Sequence, residues 1–306
     1  MRLIKPKFWE TKNFISFLLY PLSAITYLTN IIKKFSNKKN FKIKIICIGN
    51  IFVGGTGKTS LAIEINKLLR KKFKTVFIKK RYENQFDEIN LLNNKGNIIS
   101  SASRENSLLT AINKKYQLAI LDDGLQQKNI NYDLKIACFN SQEGYGNSYL
   151  LPAGPLRESM DELKYYDVII INGEKNNTKL KKKIKETSKN IKIFEGTYEP
   201  ENLNNLNRYK NYLMFCGIGN PQEFEKTLFK FKFKIKNKII FPDHYKFSNS
   251  EIKKLRNTAK KEKLNIITTE KDYLRMTKKQ RVNINYLKMK LKIKKLNSFK
   301  KILNTV

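Results

Sequence analysis

Residues 48–65 read IGNIFVGGTGKTSLAIEI. An apolar run, FKIKIICIGN, leads into a glycine-rich loop, and a helical pattern starts at Lys58 and runs to Lys71. Strand, glycine loop and helix in that order form a phosphate cradle. Glycines let backbone N–H groups turn towards phosphate oxygens, and the helix N-terminus adds partial positive charge. In the pattern G-x-x-x-x-G-K-[ST], Lys58 bridges the β- and γ-phosphates and Thr59 ligates Mg²⁺. The expected nucleotide contacts are Gly54, Gly55, Thr56, Gly57, Lys58, Thr59 and Ser60. The first position of the pattern is Phe52 instead of glycine.

Working outward, short hydrophobic strands alternate with helices. KTVFIKK, QLAILDD, LKIACFN and YDVIIING read as strands, and NSLLTAINKKY as a helix capped by Asn106. That alternation predicts an α/β fold with a P-loop NTPase-like parallel sheet and flanking helices. The Asn-rich stretch 201–211 reads as a linker to a smaller C-terminal α/β domain. There, Asn220 with Pro221 and the capping box SNSE (248–251) mark helix starts. NYLKMKLKI reads as one last alternating strand. The expected boundaries are 1–40, 41–200 and 201–306.

The chain has 306 residues and a formal net charge of +36, which first points to nucleic acid. Only nine of its 62 basic residues are arginines, and the lysines are spread along the chain among Asn and Ile. A nucleic-acid surface favours the arginine fork, so no nucleic-acid partner is expected. Cys47, Cys138 and Cys216 sit singly in apolar runs, as small buried hydrophobes in a reducing compartment do. Between Lys12 and Lys33, NFISFLLYPLSAITYLTNII carries no charge. Lysines at both ends, Pro21, and the aromatics Trp9, Tyr20 and Tyr27 fit a helix lying in one leaflet better than a span. A core helix packed on the domain is the alternative.

Further residues carry chemistry by type and place. Asp122 and Asp123 end a strand, where P-loop enzymes hold magnesium. A solvated acidic turn is the bland alternative. His244, in FPDHY, is the only histidine of the chain. LLPAGPLRES (150–159) is a rigid loop that delivers Arg157, a group suited to neutralising a transferring phosphoryl group.

Together, GNIFVGGTGKTS, LDDGLQQ, LLPAGPLRE, CGIGNPQEF, FPDHY and TTEKD resemble the tetraacyldisaccharide 4'-kinase family, in that family's order and over most of the chain. The resemblance implies transfer of the γ-phosphate of ATP to the 4'-hydroxyl of a tetraacylated glucosamine disaccharide 1-phosphate. It also implies Mg²⁺ and work at the cytoplasmic face of the inner membrane. The family's base lies in a GDE stretch that looks like FDE here. Asp87 then matches the general base, Glu88 the acidic residue beside it at the metal, and His244 the partner of the base. The family commonly carries Ser or Thr at the first loop position, and its DDGFQH is DDGLQQ here, which leaves His244 as the histidine for that role. The rival reading is a membrane-associated ATPase of the MinD type, whose loop has a lysine directly before Gly-Gly. That position is Val53 here.

Overall fold

The computed structural model describes residues 6–82, 86–243 and 245–306. The apolar N-terminal segment forms α1 (Phe14–Leu19) and α2 (Ser23–Lys34), joined by a 3-10 turn, Tyr20–Leu22, that holds Pro21. Then follow β1 (Lys44–Gly49), α3 (Lys58–Leu69), β2 (Thr75–Lys80), α4 (Phe86–Asn93), β3 (Ile98–Ser101), α5 (Arg104–Asn113), β4 (Leu118–Asp122), β5 (Leu134–Asn140), β6 (Val168–Asn172), α6 (Thr178–Thr187) and β7 (Lys192–Pro200). The rest of the chain supplies β8 (Asn211–Cys216), α7 (Pro221–Lys230), β9 (Lys234–Ile240), α8 (Asn249–Lys261), β10 (Asn265–Thr269), α9 (Glu270–Arg275), β11 (Ile284–Leu287), β12 (Met289–Ile293) and α10 (Leu296–Leu303).

The chain divides into two compact units. The larger, residues 3–81, 95–198 and 291–306, is built on an eight-stranded sheet of order β12-β7-β6-β5-β1-β4-β2-β3. Every pairing among β1–β7 is parallel. Strands buried on both faces need not alternate in polarity, which is why β1 and β4 read as continuous apolar runs. β1 lies between β4 and β5, so the chain winds away from it in both directions. In open α/β sheets ligands bind beyond the carboxyl ends of the strands at such a switch point.

The smaller unit, 82–94 with 199–290, carries a parallel sheet of order β11-β10-β8-β9. Period-two alternation in β8 serves two cores. Tyr212, Met214 and Cys216 pack with Phe224 and Leu228 of α7, while Leu213 and Phe215 pack with Ile252, Leu255 and Ala259 of α8. Ser248 and Glu251 form the expected capping box, and Asn220 caps α7 ahead of Pro221.

Four local expectations are corrected. The boundaries 1–40, 41–200 and 201–306 give way because Tyr82–Asn94 joins the smaller unit and Leu291–Val306 returns to the larger one. NYLKMKLKI is two strands in different sheets, with β12 added beside β7 and Phe299 of α10 packed edge-on to Phe194 at 5.3 Å between ring centres. α5 starts at Arg104 after Ser103, so Asn106 lies inside the helix. The stretch 201–211 is packed instead of a free linker. Leu206 is buried with Tyr212, whose hydroxyl donates to the Asn207 carbonyl at 2.9 Å.

Within Phe14–Lys34 only Ser16 and Ser23 are buried, so this segment is not a helix of the core. One face docks by polar contacts. Ser23 donates to the Leu150 carbonyl at 2.9 Å, Thr26 to Leu151 at 2.8 Å and Asn30 to Arg157 at 2.8 Å. The polar residues within the apolar run therefore fasten the helix to the 150–157 loop. Phe14, Phe17, Leu18, Ile25, Leu28 and Ile32 are left exposed on the remaining surface. All three cysteines are buried and unbridged, and burial pushes each thiol up to about 12, so none is a thiolate near neutral pH.

Candidate active site

The site is assembled in the larger unit where β1 and β4 end side by side, with Ile48 opposite Asp122 in the parallel register. β1 feeds the loop 50–57, and α3 begins at Lys58. Gly57 has φ +84, and a Cβ there would meet the Tyr198 hydroxyl and the Asn172 amide. Gly54 also has a positive φ, +137, whereas a Cβ on Gly55 would project into open space. The loop thus needs glycine for conformation at two positions and keeps the surface over Gly55 clear for a ligand.

Phe52 finds its explanation here. It forms an antiparallel bridge with Leu156, and its ring is 1% exposed, packed in the main core with Ile51 and Leu156. Val53 N–H donates to the Pro155 carbonyl at 2.9 Å and Arg157 N–H to the Ile51 carbonyl at 2.7 Å. The 150–157 loop is stitched to the phosphate loop through backbone groups. The Phe52 side chain is structural.

Stitching places Arg157 over the carboxyl end of β4. Its Nη1 lies 3.3 Å from Asp123 Oδ1 and 3.4 Å from Oδ2, and Lys58 Nζ lies 3.5 Å from Asp123 Oδ1. Burial raises the Asp123 carboxyl. Lys58 and Arg157, with Lys79 and Arg104 beyond them, outweigh burial and hold it below its usual value. Asp122 is fully buried. Its Oδ2 accepts from Thr59 Oγ1 at 2.9 Å and from Lys79 Nζ at 2.7 Å, while its Oδ1 has no hydrogen-bond partner. A buried carboxylate oxygen left open beside the loop threonine is a hard-oxygen arrangement that fits Mg²⁺. Among the described residues no three His, Cys, Asp or Glu side chains could hold a metal by themselves. Thr56 is buried, with its carbonyl held by the Asn172 amide at 2.6 Å, and Ser60 is half-buried in the first turn of α3.

The larger unit therefore brings together Gly54–Ser60, Asp122, Asp123 and Arg157. Asp87 and Glu88 belong to the smaller unit, in the first turn of α4. Asp87 is 4% exposed, with Oδ2 at 2.7 Å from Arg275 Nη2, and Glu88 Oε1 lies 3.0 Å from Lys271 Nζ. His244 lies outside the described residues. Sequence reasoning missed Lys79, 3% exposed at the end of β2. A lysine closing an otherwise apolar strand beside β4 was the available signal. It also missed Asn172 and Arg275, for which no local pattern existed.

Known proteins resemble this chain along nearly its whole length. The family model described as tetraacyldisaccharide-1-P 4'-kinase matches residues 15–306. A tetraacyldisaccharide 4'-kinase of Pelagibacter ubique is 45% identical over 297 residues, covering 96% of this chain and 95% of its own. One from Rickettsia typhi is 33% identical over 310 residues, covering 95% of this chain and 92% of its own. Among solved structures, LpxK from Aquifex aeolicus, determined in complex with ATP, superposes with a TM-score of 0.73 at 21% identity. That match covers 95% of this chain and 99% of the other and shows that the fold is shared. A glycine loop alone is common to many nucleotide-binding proteins, but matches of this length and identity are not. The chain belongs to the tetraacyldisaccharide 4'-kinase family.

Proposed function

We propose that this chain transfers the γ-phosphoryl group of ATP, with Mg²⁺, to the 4'-hydroxyl of a tetraacylated glucosamine disaccharide 1-phosphate, giving lipid IVA. The observation that carries the proposal is the cluster of Lys58, Arg157, Asp122 and Asp123 around a glycine loop, in a chain of this family. Gly54–Ser60 hold the phosphates through backbone N–H groups and the start of α3. Thr59 and Asp122 would hold Mg²⁺, with Asp123 beside them. The ion, when bound, neutralises charge on the phosphates.

Asp123 acts on the cations as much as on the metal. It keeps the Lys58 ammonium and the Arg157 guanidinium folded onto the cradle until phosphate arrives to replace it as their partner. In the transfer the 4'-oxygen bonds to the γ-phosphorus while the bond to the β–γ bridging oxygen breaks and ADP departs. The hydroxyl proton passes to the Asp87 carboxylate, whose partner we assign as His244. Glu88 is a candidate metal group whose pairing with Lys271 must be exchanged before it can serve.

The exposed apolar surface of α1 and α2 supports membrane association. A helix with lysines at both ends, docked by its polar face and apolar outward, suits insertion into one leaflet. We assign it to the cytoplasmic face of the inner membrane, where the acylated, anionic substrate would be met.

The test is phosphate transfer from ATP to the disaccharide lipid by purified protein in detergent. Transfer should require Mg²⁺ and fall by about 10²- to 10⁴-fold in Asp87→Ala and in His244→Ala, the range for loss of a general base. ATP hydrolysis stimulated by lipid vesicles, with no transfer to the disaccharide, would instead support the MinD-type reading.

A further inference from the structure

Two motifs, CGIGN and TTEKD, find no task in phosphate binding, yet both end at one buried network. Arg275, at the end of α9, is 7% exposed in its side chain and forks. Nη2 donates to Asp87 Oδ2 at 2.7 Å, and Nη1 donates to Asp272 Oδ1 at 2.7 Å and to the Gly217 carbonyl. Asp272 is fully buried and is itself fixed. Its Oδ2 accepts from Gly217 N–H at 3.1 Å and from Thr269 Oγ1 at 2.7 Å. A Cβ on Gly217 would approach the Pro242 carbonyl at 2.9 Å, so the strand end of β8 comes this close only with glycine there.

Each part has one purpose in physical terms. Thr269 and Gly217 hold Asp272, Asp272 and the Gly217 carbonyl hold one arm of the guanidinium, and the other arm holds Asp87. A planar fork with fixed donors transmits orientation, which a lysine on a flexible stem does not. The neighbouring pair Glu88–Lys271 ties the same two helices one residue further on, so α4 is fastened to α9 at both acidic positions. Asp87 is thus fixed by residues up to 188 positions away in sequence.

We propose that Arg275 is the positioning residue of the reaction, aiming the Asp87 carboxylate, with Asp272, Thr269 and Gly217 as its support. This rests on the assignment of Asp87 as base made above. It gives the TTEKD and CGIGN motifs a shared role in holding the base, separate from phosphate binding.

The test is a double-mutant cycle in the full chain with the lipid transfer assay. Arg275→Lys keeps the charge but cannot serve both arms. It should lower kcat by about 100-fold, the cost of a reacting group displaced by roughly 1 Å, with KM for ATP unchanged. Asp272→Asn, which loosens one arm only, should lower kcat less and also leave KM for ATP unchanged. In an Asp87→Asn background Arg275→Lys should cost nothing further, because its effect passes through Asp87. A residue that only stabilises the fold would lower the amount of active protein equally in both backgrounds. Arg275→Lys at the wild-type kcat, an equal loss in the Asp87→Asn background, or a loss confined to KM for ATP would each overturn the proposal. If Arg275→Lys does not fold, Asp272→Asn compared in the two backgrounds decides by the same criterion. Near-normal turnover by Asp87→Asn would overturn the proposal through its premise. A wild-type protein that transfers no phosphate would overturn the proposed function itself.

Discussion

Replacing Phe52 with alanine separates a structural from a nucleotide-binding role at the unusual first position of the phosphate loop. The ring is 1% exposed and sits in the main core with Ile51 and Leu156. Its removal forfeits a burial contribution of about 1.5–3 kcal/mol. The cavity adds to this, because the backbone around it is pinned by Val53 N–H on Pro155 and Arg157 N–H on Ile51 and cannot collapse freely. Phe→Ala changes in such sites cost about 3–5 kcal/mol. For a unit of this size that corresponds to a fall in Tm of roughly 6–20 °C. Differential scanning calorimetry should show the loss in the transition that an ATP analogue raises, since that transition reports the nucleotide-binding unit. Well below the new Tm, KM for ATP should be unchanged, because the bridge to Leu156 and the loop bonds are made by backbone groups. An unchanged Tm together with lost ATP affinity would refute the reasoning. It would mean that the ring faces the nucleotide.

Two further outcomes are expected. Asp123 has a folded-state pKa held below its unfolded value, so the stability it contributes is present above the unfolded value of about 3.9 and is lost as pH falls through the folded one. The difference in unfolding free energy between wild type and Asp123→Asn, followed by urea titration, should therefore shrink only below about pH 4; a difference that instead vanished near pH 6 would show that another group sets it. Changing Leu18, Ile25 and Leu28 together to serine should abolish sedimentation with anionic phospholipid vesicles while leaving Tm and ATP binding intact, because all three side chains are exposed. Retained vesicle binding would place the membrane contact elsewhere.

Much of the phosphate-binding half was legible because it is local. A strand, a glycine loop, a lysine and a helix follow one another within 18 residues, and their geometry is set by neighbours in sequence. Asp122 was legible for a related reason, since a carboxylate at the end of a buried strand next to that loop has few alternatives. The polar residues in the apolar N-terminal run stand out in the sequence, but their use is hidden there. Ser23, Thr26 and Asn30 are docking groups only because the 150–157 loop presents carbonyls to them.

What the sequence by itself determined was the alternation of strands and helices, the strand–glycine loop–helix unit and the kind of chemistry its residues could support. Only the tertiary structure decided that Phe52 pairs with Leu156, that Lys79 reaches Asp122, that β12 and α10 return to the larger unit, and that Asp87 is held by Arg275. Hydrophobic periodicity reports which face of an element is buried, not what buries it. Which distant segment fills that face is settled by the summed packing and hydrogen bonding of the whole unit. Asp87 and Arg275 lie far apart in the chain, and no local pattern in either segment encodes the other.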